Sequence, residues 1–233
     1  MPSKVTRRSL TIELSKTRVP SIFLIPQIAE PVPAALLLHG YSSSKERLSD
    51  SMGRALAARG IASLAIDLPL HGTRDDAMID EARSNPLGLV KHWKTALAEA
   101  KAAVSWLKGQ DEIDTERVSV CGYSLGSYVA LQTASADKSV ASVIIAAGGD
   151  LPATPWTNMM RMISDPLRSV RALKGRPLLM LHGKNDRTIQ PDQARRLYDA
   201  AAEPKELRWY DSGHVLPPAA ADYAAAWLVG ITS

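Results

Sequence analysis

Gly122-Tyr123-Ser124-Leu125-Gly126 sets a serine between two glycines, directly after the apolar run Val118 to Cys121 and directly before a helical pattern from Leu125 to Ala134. A neutral serine hydroxyl is a poor nucleophile. It needs a base within hydrogen-bond reach and a third group to orient that base. It also needs N–H donors aimed at the oxyanion that forms on an attacked carbonyl. A Gly-x-Ser-x-Gly corner between strand and helix supplies a sharp turn that holds the serine out, at a helix N-terminus where amides point outward. By composition alone the pattern arises by chance on the order of once in ten chains of this length. The strand before it and the helix after it remove most of those matches.

The base must come from five histidines. His214, in Asp211-Ser212-Gly213-His214, lies just past the last apolar run and before the last helical one. Asp186, in Leu181-His182-Gly183-Lys184-Asn185-Asp186, lies in a loop directly after a buried strand, and it is the candidate acid. The amide of Leu125, next to the nucleophile, is one expected oxyanion donor, and the amide of Tyr41, in His39-Gly40-Tyr41, is the other. His39 and His182 each precede a glycine at a strand end and read as structural. His71 follows Pro69 in a turn and reads as a backbone partner. His92 reads as opening a helix, in a surface or packing role. No histidine has the spacing of a metal-ligand pair, so neither a metal nor a cofactor is expected.

These groups need elements to place them. Leu10, Ile12 and Leu14 alternate with polar residues, as in a half-buried strand, and 19–25 suits an antiparallel partner. The continuous apolar run at 34–38 reads as a strand buried on both faces, 61–66 as the next buried strand, and 118–121, 140–146, 177–181 and 206–210 as further strands. Helical patterns lie between them. Ser43 and Glu46 have capping-box spacing ahead of Leu48, Met52 and Leu56. Val90, Trp93, Leu97, Ala100, Val104 and Leu107 mark one helix face. Further helices are expected at 192–202 and 219–229. The alternation predicts an α/β fold, a mostly parallel central sheet flanked by helices on both faces. Ser124, Asp186 and His214 then all follow strand ends on one edge of that sheet.

Two segments interrupt the rhythm. Residues 67–88 form a long loop whose Asp75, Asp76, Asp80 and Glu81 read as a solvated acidic face. Residues 151–174, punctuated by Pro152, Pro155 and Pro166, read as a small helical insertion. It is either an ordinary crossover or a cap whose Trp156, Met159 and Met160 wall a pocket, a use that suits adaptable methionine.

The 233 residues suffice for one domain with a continuous core, residues 1–233. Their 45% apolar and 22% charged shares are those of a globular chain, which argues against disorder or a fibre. A net charge of +4 is spread without a basic patch interleaved with aromatics, so no nucleic-acid partner is expected. One cysteine, Cys121, excludes an internal disulfide. The N-terminus lacks an apolar signal core, and no apolar run is long enough to span a membrane. A soluble, cytoplasmic protein is the expectation, with oligomeric state open.

The motifs together resemble a small α/β-hydrolase over about Ala34 to Trp227, similar to bacterial carboxylesterases of the dienelactone hydrolase and prolyl-oligopeptidase-like groups. Gly122-x-Ser124-x-Gly126 resembles their nucleophile elbow, and the order Ser124, Asp186, His214 matches the family's order. His39-Gly40-Tyr41-Ser42-Ser43-Ser44-Lys45 resembles the oxyanion loop, and Asp67-Leu68-Pro69-Leu70-His71-Gly72 a structural turn. The resemblance implies a serine hydrolase of small or short-acyl carboxylic esters, working without cofactor through an acyl-enzyme. A thioesterase, an amidase or peptidase, and a binding or receptor protein on the same fold stay open. Dienelactone hydrolases proper have cysteine where this chain has Ser124, and Cys121 reads as a small buried side chain. Prolyl oligopeptidases carry a screening propeller, which has no counterpart here. The single glycine at His39-Gly40-Tyr41 implies poor activity on tertiary-alcohol esters.

Overall fold

A computed structural model describes residues 4–74 and 86–232. The side chains of residues 86–89, Pro155, Trp156 and Met159 lie outside the described set, as does the acidic group at 75–81. Strands β1 (Val5–Leu14) and β2 (Thr17–Pro26) form an antiparallel hairpin. Ser15 and Lys16 both take positive φ at its tip (50° and 72°), the backbone of a two-residue turn that matches strand twist. β3 (Val32–Leu38) follows, then a composite helix: α1 (Lys45–Leu48), a π turn (Ser49–Gly53) and α2 (Arg54–Ala57). β4 (Ala62–Ile66), α3 (Pro86–Lys108), β5 (Ile113–Tyr123) and α4 (Leu125–Ala136) come next. β6 (Val143–Ala146) leads into α5 (Pro155–Arg161) and α6 (Pro166–Arg171). β7 (Leu178–Gly183), α7 (Pro191–Ala200), β8 (Lys205–Tyr210) and α8 (Pro218–Thr232) complete the order.

The strands make one eight-stranded sheet in the order β1-β2-β4-β3-β5-β6-β7-β8. β2 pairs antiparallel with β4, and every pair from β4 through β8 is parallel. The apolar runs stay continuous because neighbouring residues serve opposite faces. Leu36 and Leu38 pack with α3 and α4, whereas Leu37 points into the layer of Leu48, Met52, Leu56 and Leu228. The expected α/β architecture is therefore the one observed. Among the described residues no helix is long and apolar enough to cross a membrane.

Three expectations need correction. The first helix is capped by Ser44, not Ser43, without a side-chain cap bond, and the Glu46 carboxylate pairs with the Lys45 ammonium at 2.7 Å. Its apolar repeat of every fourth residue leads a 3.6-residue turn by about 40° per step. The wider π turn takes up that excess, and Leu48, Met52 and Leu56 all stay buried. His92 does not open a helix: α3 begins at Pro86, and His92 is buried within it.

The insertion divides in two. Asp165 caps α6, accepting from the Leu167 and Arg168 amides at 3.0 and 3.2 Å. Val170 and Leu173 then pack into the core beside α4, so this half is a crossover helix. The first half is held by charge. Buried Asp150 pairs with Arg161 of α5 at 2.7 Å and with Arg196 of α7 at 3.2 Å. Met162, beyond α5, is 87% exposed.

Candidate active site

Ser124 stands at the corner between β5 and α4 with φ 50° and ψ −113°. A non-glycine residue with positive φ is strained, and such residues persist only where their surroundings hold them. Here the Ser124 N–H donates to the Ala146 carbonyl at 2.8 Å, and its own carbonyl accepts from the Ser127 hydroxyl at 2.6 Å. The flanking glycines answer to space. A Cβ on Gly122 would lie 2.2 Å from the Gly126 carbonyl oxygen, and one on Gly126 would lie 2.0 Å from that of Leu38. Both obstacles are backbone, so neither can yield. Ser42, Leu70 and Ala147 also have positive φ (56°, 68° and 49°). Together with Ser124 they lie just past the carboxyl ends of β3, β4, β5 and β6, along one edge of the sheet.

The structure brings the three predicted side chains together there. His214 Nε2 is 2.9 Å from Ser124 Oγ, and His214 Nδ1 is 2.8 Å from Asp186 Oδ2. The carboxylate accepts from Nδ1–H, which leaves Nε2 as an acceptor for the serine proton. Asp186 is held in turn. Its Oδ1 accepts from the Thr188 and Ile189 amides at 2.8 and 3.1 Å. Buried His182 donates from Nε2 to the Ile189 carbonyl at 2.9 Å, which closes the loop around the acid. The loop after β3 abuts the corner: a Cβ on Gly40 would lie 3.2 Å from that of Ser124. Neither the Tyr41 nor the Leu125 N–H donates to another group among the described residues. Cys121 is fully buried in β5, and burial pushes its thiol up to about 12, so no thiolate competes as nucleophile.

The sequence model of the Alpha/beta hydrolase family matches residues 35–228. The chain belongs to that family. It is 28% identical over 180 residues to an uncharacterised protein of Mycobacterium tuberculosis H37Rv, covering 74% of this chain and 59% of that relative. It therefore spans about three fifths of that relative's length. It is 28% identical over 220 residues to Esterase YjfP of Escherichia coli K12, covering 82% of this chain and 83% of YjfP. Among solved structures, a cold-adapted esterase from an Arctic intertidal metagenomic library superposes with a TM-score of 0.73 at 20% identity. That match covers 95% of this chain and 94% of the other, and it shows shared fold.

This α/β-hydrolase family chain also carries groups at the site that no motif marked. Tyr123 fills the x position before the serine. Its hydroxyl donates to the His214 carbonyl at 2.6 Å and accepts from the Leu216 amide at 3.0 Å. One phenol thus bridges the two ends of the loop that presents His214. Tyr123→Phe leaves the Leu216 N–H without its partner, a cost of about 1–3 kcal/mol where the group stays buried. A drop in kcat of about tenfold is expected, with KM little changed, because His214 rather than a binding surface is displaced. Steady-state kinetics check this, and a variant within twofold of wild type would mean that the loop is held by other contacts.

The turn after β4 anchors the loop after β3. Buried Asp67 accepts from the Lys45 amide at 2.9 Å, the Lys45 ammonium at 2.8 Å and the Thr73 amide at 3.0 Å. Arg74 forks onto buried Glu99 at 2.6 and 2.8 Å, and Thr17 donates to the same carboxylate at 2.6 Å. The two carboxylates thus tie the loop after β3, the turn after β4, α3 and the β1–β2 hairpin together.

His39 fixes the loop from inside. Its Nε2 accepts from the Leu68 amide at 3.0 Å, so Nδ1 donates to the Gly40 carbonyl at 2.8 Å. Burial is the main reason its pKa falls from 6.5 to about 4, and nearby His71 adds to the effect. The unfolded chain therefore binds the proton more readily. The contribution of His39 to stability is complete above pH 6.5 and is lost as pH falls from 6.5 through 4, on the order of 3 kcal/mol at most. His182 is lowered as well, again mainly by burial, and acts in the same direction. His39→Gln keeps an acceptor for Leu68 and cannot titrate. Its urea midpoint should change less between pH 7 and pH 5 than that of wild type, and equal changes would exclude His39 as the source.

Proposed function

We propose that this chain is a serine hydrolase of carboxylic esters, with Ser124 as nucleophile, His214 as general base and acid, and Asp186 as the group that orients it. The observation that carries the reading is the unbroken chain of contacts Asp186–His214–Ser124, at 2.8 and 2.9 Å, with the histidine tautomer set by the carboxylate. Ser124 Oγ attacks the ester carbonyl as His214 Nε2 takes its proton, and the oxyanion forms against the Tyr41 and Leu125 amides. Collapse breaks the bond to the alkoxide, which leaves with the proton from His214. Water then repeats the sequence on the acyl-serine, releasing the acid and free Ser124. Asp186 stays ionised and stabilises the imidazolium.

Membership of a hydrolase family supports the reaction type. That Esterase YjfP and the Arctic protein are both esterases supports an ester over other acyl substrates. We place the acyl or alcohol portion beneath α5, with Met160 as a candidate wall. Support comes from Tyr128, one turn past Ser124. Burial, then the carboxylate of Asp150, drives its phenol well above the usual range, and Arg161 and Asp186 are also close enough to act on it. Arg161 of α5 pairs with Asp150, in the loop after β6, at 2.7 Å, and so ties α5 to the sheet edge that carries Ser124. Small or short-acyl esters suit a site with so short an insertion.

The test is a panel of acyl-matched nitrophenyl ester, thioester and anilide substrates, with the ester varied from acetate to decanoate. The ester of two to six carbons is expected to give the highest kcat/KM. A fluorophosphonate probe should label the protein once, at Ser124. No labelling and no turnover of any acyl substrate would favour the binding-protein reading. Thioester turnover well above ester turnover would move the assignment to a thioesterase.

A further inference from the structure

A pocket of about 530 Å³ opens on the other side of Tyr123, between the composite helix and α8. It falls in the size range of small-molecule sites and is far larger than the gaps of a packed core. Its walls are hydrocarbon: Leu48, Met52 and Ala55 on one side, Leu216, Pro217 and Ala221 on the other, with Tyr123, Ala146 and Leu181 as the floor. Ser124, Asp186 and His214 do not line it. The Tyr123 ring stands between: it meets the His214 ring edge-on at 6.2 Å, and Tyr123 Cδ1 lies 3.6 Å from where a Gly40 Cβ would be.

We infer that this pocket is a second ligand site, for an uncharged aliphatic molecule such as a medium-chain alcohol. The size excludes a protein segment with its own core, and the rim decides the charge. Asp50 is matched by Arg7 at 2.9 Å and by Arg54 at 3.2 Å, and Asp222 by Arg59 at 3.9 Å. These side chains are solvent-exposed, so water and their existing partners screen them and an ionic head group gains little there. A hydroxyl can reach the exposed Ser51 at the rim, whose own proton goes to the Arg47 carbonyl at 2.9 Å and leaves the oxygen free to accept. The π turn supplies Asp50, Ser51 and Met52 to the site, and such turns occur often where helices bind ligands.

The site is coupled to the base. Leu216 and Tyr123 both line it, and they hold each other through the bond at 3.0 Å, while the same hydroxyl holds His214 at 2.6 Å. A ligand packed on Tyr123 and Leu216 favours the arrangement in which His214 faces Ser124. This inference goes beyond the hydrolase reading, and its test needs no turnover.

The test is an NMR titration of the isotope-labelled full chain carrying Ser124→Ala, with 1-octanol and, separately, octanoate. Saturable shifts are expected at the amides of Ala55, Leu216 and Ala221, accompanied by the His214 imidazole, with octanoate at least tenfold weaker. Ala55→Trp fills the pocket from a half-buried helix position and should abolish saturation. Ala226→Trp, on the exposed face of α8, should leave it intact. Should Ala55→Trp fail to fold by circular dichroism, Ala221→Phe fills the same space from the opposite wall. Shifts confined to Tyr41 and Leu125, or octanol affinity unchanged in the filled variant, would overturn the site. Equal affinity for octanoate would overturn the uncharged ligand, and a silent His214 would overturn the coupling.

Discussion

Replacing Ser124 with alanine is expected to lower kcat for ester hydrolysis by about 10⁶-fold, the scale on which a serine hydrolase depends on its nucleophile. The remaining activity, about 10³ to 10⁴ over water, would come from substrate held against the Tyr41 and Leu125 amides. Fluorophosphonate labelling should vanish with it. The fold should not suffer, because the backbone at the corner is held by the Ala146 and Ser127 contacts rather than by the Ser124 hydroxyl. The backbone offers an independent check. At φ 50° alanine keeps the strain that serine bears, whereas glycine relieves it. Ser124→Gly should therefore be more stable than Ser124→Ala by about 1 kcal/mol, with both inactive. An alanine variant that retained turnover would remove Ser124 from the mechanism. A glycine variant no more stable than alanine would mean that the corner relaxes in solution.

Much of this site was legible because it hangs on strand ends. Asp186 and His214 are 28 residues apart in the chain, yet both follow segments readable as successive strands of one parallel sheet. The prolines punctuated accurately too: Pro155, Pro166, Pro191 and Pro218 each open a helix, where a missing N–H and a fixed φ cost nothing. The π turn could have been read from the fourfold spacing of Leu48, Met52 and Leu56, which a regular helix cannot hold on one stripe. Tyr123 could not. Its bond reaches a residue 91 positions away, and a tyrosine at the end of a strand has no pattern that announces a partner. The same holds for Asp67 and Glu99: each acid satisfies cations and amides from separate loops, and their meeting is a property of the assembled sheet. Trp156 and Met159 point to a pocket wall by residue type alone, and their side chains lie outside the described residues.

Asp186→Asn should lower kcat/KM by about 10⁴-fold with the fold intact, and the reason lies in which atoms can accept. Asp186 Oδ1 already serves the Thr188 and Ile189 amides, so the amide oxygen of asparagine must take that place. Its NH₂ then faces His214 Nδ1, where Oδ2 had accepted a proton at 2.8 Å. Two donors cannot share that contact. The imidazole moves its proton to Nε2, which then points an N–H at Ser124 Oγ and can no longer take the serine proton. The nucleophile is present and in place, yet without a base. Asp192 and Asp211 are the controls. Asp192 is exposed and pairs with Arg196 along α7, and Asp211 is exposed and accepts from the Asn185 amide group at 3.2 Å. Neither contacts His214, so Asp192→Asn and Asp211→Asn should stay within about twofold of wild type, as surface changes usually do. A nitrogen-edited NMR spectrum separates the tautomer argument from simple misfolding. Wild type should keep its proton on His214 Nδ1, and Asp186→Asn should carry it on Nε2 with the remaining amide spectrum little changed. A slow variant that still held the proton on Nδ1 would assign the loss to displaced geometry, and the orienting role of Asp186 would have to be rebuilt on the loop that His182 closes.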